Sequence, residues 1–212
     1  MNKNNEVRVA ITGFGGLDNS EPGTAVARAL KTGWEGKISI DALGYDPWMT
    51  GAFSPGLIDN IHILPALADG DHAILERIIE INEKRKFHAI IPTLELEISV
   101  LSRLEERLKS KGIKVLVPSY EHINMVTKTL LPYFCYRNKI PTPITLHVPN
   151  VNDVPFHANQ FTYPIMVKGV VASAQKVDNW SDALFYARKF NSRWGGGAIL
   201  QEKIEGEEFD VS

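Results

Sequence analysis

The sequence predicts an α/β protein: a mainly parallel sheet covered on both faces over residues 1–118, a helical linker over 119–143, and a smaller α+β unit over 144–212. Two observations carry this. Short β-branched apolar runs alternate with amphipathic stretches between residues 7 and 118, the pattern of strands joined by crossover helices. After Ser119 the character changes to a proline-bounded helical stretch and then to strands joined by small-residue turns.

Taken in order, "VRVAITGF" is a strand, and its glycines lead through "LDNSEPG" into "TAVARALKTG", where Ala25, Val26, Ala29 and Leu30 share a helix face. "KISIDALGY" repeats the strand signal, "HAILERIIEINEKRK" is helical and "FHAIIPT" is another strand. "EISVLSRLEERLKSKG" is an amphipathic helix closing on Gly112, before the strand "IKVLVPS". In the linker, Ser119 is the expected cap and Pro132 is expected to split or kink the helix, which "PTP" at 141–143 ends. "ITLHV", a polar loop, and "FTYPIMVKGVVASAQKV", read as two strands and a turn, come next. A helix capped by Ser181, the run Gly195 to Gly197 and the strand "AILQEKI" complete the chain.

Bulk properties exclude several classes. The chain has 212 residues, is 44% hydrophobic and carries a net charge of -2, with 23 basic and 25 acidic residues mixed along it. No basic block tracks a phosphate backbone, so nucleic acid is not an expected partner. Cys135, the single cysteine, forms no internal disulfide and belongs to no metal-binding cysteine cluster. The N-terminus, polar and then broken by glycine, fits neither a signal peptide nor a membrane span, so a cytoplasmic protein is expected.

Three motifs and one lysine bear on chemistry. The loop "GFGGLDNSEPG" could bring backbone N–H groups of Gly15 and Gly16 to a ligand, but its spacing is neither GxGxxG nor that of a P-loop, and a tight turn explains it equally. Asp46 in "GYDP" reads as a ribose-binding acid or as a turn residue. Glu95 and Glu97 stand just past a strand end, where ligands of open α/β sheets bind; they also suit the acidic first turn of a helix. Lys168 ends the apolar strand "YPIMVKG", where an ammonium meets an anion or reaches solvent.

The combination of "NMVTKTLL", "IPTP", "TYPIMVKG" with its hairpin, and "ILQEKIEGEEFDVS" resembles the ATP-grasp superfamily, in particular units similar to those of the carbamoyl phosphate synthase large subunit. The resemblance spans essentially the whole chain. It implies a Rossmann-like pre-ATP-grasp domain, a helical linker and the first, partial ATP-grasp subdomain. It also implies that Lys128 and Lys168 hold the phosphates of ATP, and that residues 172–176, including Ser173 and Gln175, form a lid over them. "VASAQK" carries fewer glycines than the family pattern, which shifts weight onto Ser173 and the backbone amides. The backbone of Glu202, Lys203, Ile204 and Glu205 would meet the adenine edge. Glu208 would take the ribose hydroxyls, although it also suits a solvated acidic turn.

In the family, the strand opening with "EEFDVS" continues into a second subdomain that supplies the Mg2+ ligands and an arginine. The catalytic residues are therefore expected beyond Ser212, the last residue of the sequence. The resemblance implies a truncated chain or a split gene product, binding ATP weakly and holding no metal ligand of its own. The intact protein would use Mg-ATP to activate a carboxylate, bicarbonate or carbamate. Unpaired strand edges would favour a homodimer. The alternatives are a non-catalytic Rossmann-like nucleotide-binding or sensor module using the glycine loop, and a subunit completed in trans.

Overall fold

The computed structural model describes residues 6–15, 21–207 and 209. The chain divides into two compact units at Tyr120/Glu121.

The first unit is a five-stranded, all-parallel sheet in the order β3-β2-β1-β4-β5. Its strands are β1 (Val7–Ile11), β2 (Ile38–Gly44), β3 (Asn60–Ile63), β4 (Ala89–Ile91) and β5 (Lys114–Val115). Because side chains alternate along a strand, the run in β1 serves two cores. Val9 and Ile11 pack with Ile40, Ala42 and Ala27 of α1 (Pro22–Gly33), whereas Ala10 packs on the other face with Leu43 and Ile90. That second face is closed by α2 (Asp71–Arg85), through Ile74, Leu75, Ile78 and Ile81, and by α3 (Glu95–Ser110), through Leu101, Leu104 and Leu108.

Helix α3 stops at Gly112, whose left-handed φ of 79° lets its N–H reach the Lys109 carbonyl while the Ile113 N–H reaches that of Leu108. This paired closure satisfies two carbonyls that the helix end would leave bare.

Two strands differ from the sequence expectation. β3 has no counterpart in it, because the strand is short, lies at the sheet edge and carries polar Asn60 and His62. Both side chains turn to Asp41, buried in the neighbouring strand, so polar pairing replaces the apolar signal. The "IKVLVPS" run forms only two ladder residues, Lys114 and Val115.

Residues 119–143 contain α4 (Tyr120–Met125) and α5 (Leu131–Arg137), the latter within the second unit. Pro132 lies in the first turn of α5, where its missing N–H costs nothing, so it opens that helix instead of bending one.

The second unit holds a four-stranded antiparallel sheet in the order β6-β9-β7-β8. Its strands are β6 (Thr145–Val148), β7 (Ile165–Lys168), β8 (Ala174–Val177) and β9 (Ala198–Glu202). Val148, Ile165, Val167, Val177 and Leu200 pack on one face against Val154 and Ala158 of α6 (Val154–Ala158) and against Ala183, Ala187 and Phe190 of α7 (Trp180–Trp194).

The cap of α7 is Asn179, which accepts the Asp182 N–H at 2.9 Å; Ser181, the expected cap, lies inside the helix. The polar loop expected after β6 contains a 3-10 turn and the short helix α6. Among the described residues, no helix is long and apolar enough to cross a membrane.

Candidate functional site

In the second unit the relevant geometry surrounds the turn between β7 and β8. Ile165 and Val167 face the core, so Met166 and Lys168 face the other side of the sheet, beside Gln201 and Ile199 of β9. The turn comprises residues 169–173 and closes through the Gly169 N–H on the Ser173 carbonyl at 3.0 Å. Ala174, Gln175 and Lys176 of the expected lid belong to β8 and not to the turn.

Two residues fix the turn. A Cβ at Gly169 would overlap the Ala172 carbonyl, and Ser173 adopts a left-handed φ of 76°. Lys128, far away in sequence, donates its ammonium to the Val171 carbonyl in this turn. Lys128 and Lys168 are therefore brought to one hairpin, the first at its tip and the second at its base. Gln175 donates to the Lys176 carbonyl at 3.1 Å.

The segment after β9 is less tightly built. The Glu202 carboxylate accepts the Ile144 N–H at 3.0 Å, which secures the strand end. Lys203 reaches the Ile204 carbonyl at 2.8 Å and lies 3.5 Å from the Glu205 carboxylate. Ile204 and Glu205 are exposed. Glu208 lies outside the described residues.

In the first unit the strand order reverses between β1 and β4, which makes the C-terminal ends of these strands a crevice of the kind α/β sheets use for ligands. Thr12 and Thr93 tie the two ends together: the Thr93 N–H donates to Thr12 Oγ1, and Thr93 Oγ1 donates to the Thr12 carbonyl, both at 2.9 Å. The glycines are explained locally. A Cβ at Gly13 would overlap the Thr93 hydroxyl, and one at Gly23 the Thr12 carbonyl. Gly15 has no such constraint, and Gly16 lies outside the described residues. Asp46 caps its own turn by accepting the Trp48 N–H at 2.8 Å.

The two glutamates of α3 part company. Glu95 is exposed, whereas Glu97 is 1% exposed and accepts the Thr12 hydroxyl through Oε2. Burial pushes the Glu97 carboxyl above the ordinary carboxylate range, against the opposing pull of the Thr12 and Tyr45 hydroxyls. Burial, followed by the nearby Glu97 charge, pushes the Tyr45 phenol up as well.

This constellation was only half legible: Glu97 was visible as an acid in the first turn, but Thr12 and Tyr45 were not singled out. A signal existed, since Glu97, Leu101, Leu104 and Leu108 fall on one helical stripe and an acid in that stripe must turn inward. Among the described residues, no group of three or more His, Cys, Asp or Glu side chains is arranged to hold a metal ion.

No family model matches the chain, and no curated protein matches it. Solved structures do. An L-amino acid ligase from Bacillus licheniformis superposes with a TM-score of 0.68 at 15% identity, over 96% of this chain and 45% of that one. The biotin carboxylase domain of Hydrogenobacter thermophilus 2-oxoglutarate carboxylase, solved as a dimer with MgADP, ADP and bicarbonate, gives 0.64 at 17% identity, over 93% of this chain and 44% of that one. N5-carboxyaminoimidazole ribonucleotide synthetase from Thermus thermophilus gives 0.60 at 17% identity, over 93% and 47%. The chain thus spans less than half the length of each of these enzymes. Its fold, a parallel five-stranded sheet with helices followed by an antiparallel four-stranded sheet, is that of the N-terminal part of ATP-grasp enzymes.

Proposed function

We propose that the chain is the N-terminal part of an ATP-grasp ligase of the carbamoyl phosphate synthase-like kind, with a pre-ATP-grasp domain over 1–118, a linker over 119–143 and a partial nucleotide-binding subdomain over 144–212. The observation that carries this reading is the convergence of Lys128 and Lys168 on the β7–β8 hairpin. Two ammonium-bearing side chains at a tight turn whose glycine lets backbone approach closely suit a polyanion, and the compact charge of lysine suits phosphate.

In this reading Lys128 and Lys168 hold the phosphates of ATP, and Ser173 and Gln175 flank them. The strand end from Glu202 through Lys203, Ile204 and Glu205 offers main-chain donors and acceptors to the adenine, and Glu208 accepts from the ribose. The first unit's crevice takes a small carboxylate or bicarbonate-type substrate or its amine partner, with Gly15 and the exposed Glu95 as its contacts, while Glu97, buried beneath it, acts only through Thr12. Bound Mg-ATP supplies a phosphoryl group that turns a carboxylate oxygen into a good leaving group. In this reading no residue of this chain is assigned as a Mg2+ ligand or as a catalytic residue. The protein works in the cytoplasm and as a homodimer.

Equilibrium binding of ATP, ADP and NAD in the presence of magnesium tests the reading. ATP and ADP should bind and NAD should not. Lys128→Ala and Lys168→Ala should each weaken ATP binding by roughly ten- to hundredfold, the value of a hydrogen bond to a charged group. Binding of NAD that is indifferent to both substitutions would move the ligand to the glycine loop and sink the ligase reading.

A further inference from the structure

Beneath the C-terminal ends of β1 and β2, the first unit holds a small cavity of about 10 Å3, lined by Thr12, Tyr45 and Glu97 and by apolar groups that include Leu43, Ile78 and Val100. Glu97 is 1% exposed, and its Oε1 atom is buried with no hydrogen-bond partner among the described residues. Its other oxygen is already engaged by Thr12. A buried carboxyl oxygen left bare in an apolar pocket is costly, and native structures seldom leave one so.

From this geometry we infer that the cavity is a binding site for one small hydrogen-bond donor, a water molecule or an ammonium ion, held between Glu97 Oε1 and the Tyr45 hydroxyl. Size fixes the class. A volume near 10 Å3 is at the lower bound of what holds a single water molecule. Chemistry fixes it further, because a carboxyl oxygen accepts and the phenol supplies the second polar partner that an internal water needs. A hydrated metal ion is disfavoured, since the leucine, isoleucine and valine walls provide none of the six or so oxygen ligands such a cation requires.

The site stands apart from the nucleotide reading and survives its failure. Its occupant would act through Glu97 on Thr12, and through Thr12 on Thr93, so it would brace the mouth of the crevice between β1 and β4.

Thermal unfolding of the whole chain carrying Val100→Ile gives a test by sign. The added methyl enters the cavity from α3. If a donor is bound, the methyl expels it and strands Glu97 Oε1, and Tm should fall by about 2–4 °C. A dry void would instead be filled to advantage, so an unchanged or raised Tm overturns the proposal.

Repeating the measurement in ammonium chloride and sodium chloride at equal ionic strength separates the two occupants. A Tm gain specific to ammonium, present in the native chain and lost in Val100→Ile, identifies ammonium; equal Tm values identify water. A crystal structure of the native chain should show a single peak within hydrogen-bond distance of Glu97 and Tyr45, displaced or lost in Tyr45→Phe. An empty cavity there would overturn the assignment independently of any effect on stability.

Discussion

Asp41 and Glu97 are both 1% exposed and both belong to the first unit, yet their surroundings are opposite. Asp41 sits in a ring of donors: Arg85 contacts both its oxygens at 2.7 and 2.9 Å, His62 lies at 2.7 Å and Asn60 donates at 3.1 Å. Glu97 meets the Thr12 and Tyr45 hydroxyls and the Leu94 backbone but no cation, and its Oε1 atom has no hydrogen-bond partner among the described residues. The difference teaches what each buried acid is for. A carboxylate ringed by a bidentate guanidinium, an imidazole and an amide is a fastener, here binding the polar edge strand β3 and the end of α2 to β2. A carboxyl held by hydroxyls beside a cavity at the mouth of a sheet has spare capacity.

The sharpest way to break this comparison is to remove the cation from Asp41. Arg85→Ala leaves a buried charge with only His62 and Asn60 and should cost about 3–5 kcal/mol, the usual loss when one partner of a buried pair is deleted. Arg85→Lys should recover only part of it, because an ammonium does not span both carboxylate oxygens. Chemical denaturation gives both values. A loss below about 1 kcal/mol, within the range of an exposed ion pair, would mean that Asp41 is not the fastener described.

The next effect is smaller and has the opposite sign. Because the Glu97 pKa is raised in the folded state above its ordinary value of 4.5, the native protein holds that proton more tightly than the unfolded chain does. Stability from this group is therefore full below about 4.5, the ordinary value, and is lost as pH climbs through the raised folded value. Glu97→Gln does not titrate. It should match the native chain in stability at low pH and exceed it by about 1 kcal/mol at neutral pH, on the scale of one buried hydrogen bond. Denaturation curves across that window check this, and a variant equally weaker at every pH would contradict it.

How much could be read without coordinates follows from the same physics. The helices and buried strands of the first unit were legible because their apolar residues repeat at the period of the element that buries them, as in Ile74, Ile78 and Ile81 of α2. β3 was not, since its residues pair with an acid in another strand and no local pattern announces a partner some twenty positions away. Asp41 itself interrupts the run "ISIDALG", and an acid inside an apolar strand is a visible sign that donors must converge on it. Asn179 and Ser181 are both good caps, and spacing alone left the choice to tertiary packing. At the candidate site, the family resemblance supplied Lys128 and Lys168 as a pair. Their meeting at one hairpin depends on a contact between residues 43 positions apart, which composition does not encode.

The mildest substitution asks whether the donors around Asp41 are equivalent. Asn60 is half-buried on the edge strand, and its amide is the longest of the contacts to Asp41, at 3.1 Å. Asn60→Ala removes a neutral donor from an acid that keeps Arg85 and His62, and water at the sheet edge can take the place of the amide. The loss should be about 0.5–1.5 kcal/mol, well below that of Arg85→Ala. If the two substitutions cost the same, β3 is held by Asn60 as firmly as Asp41 is held by Arg85, and the fastener is the whole ring. If Asn60→Ala is mild while hydrogen exchange of the β3 amides still accelerates, the amide sets the register of the edge strand and the guanidinium supplies the stability.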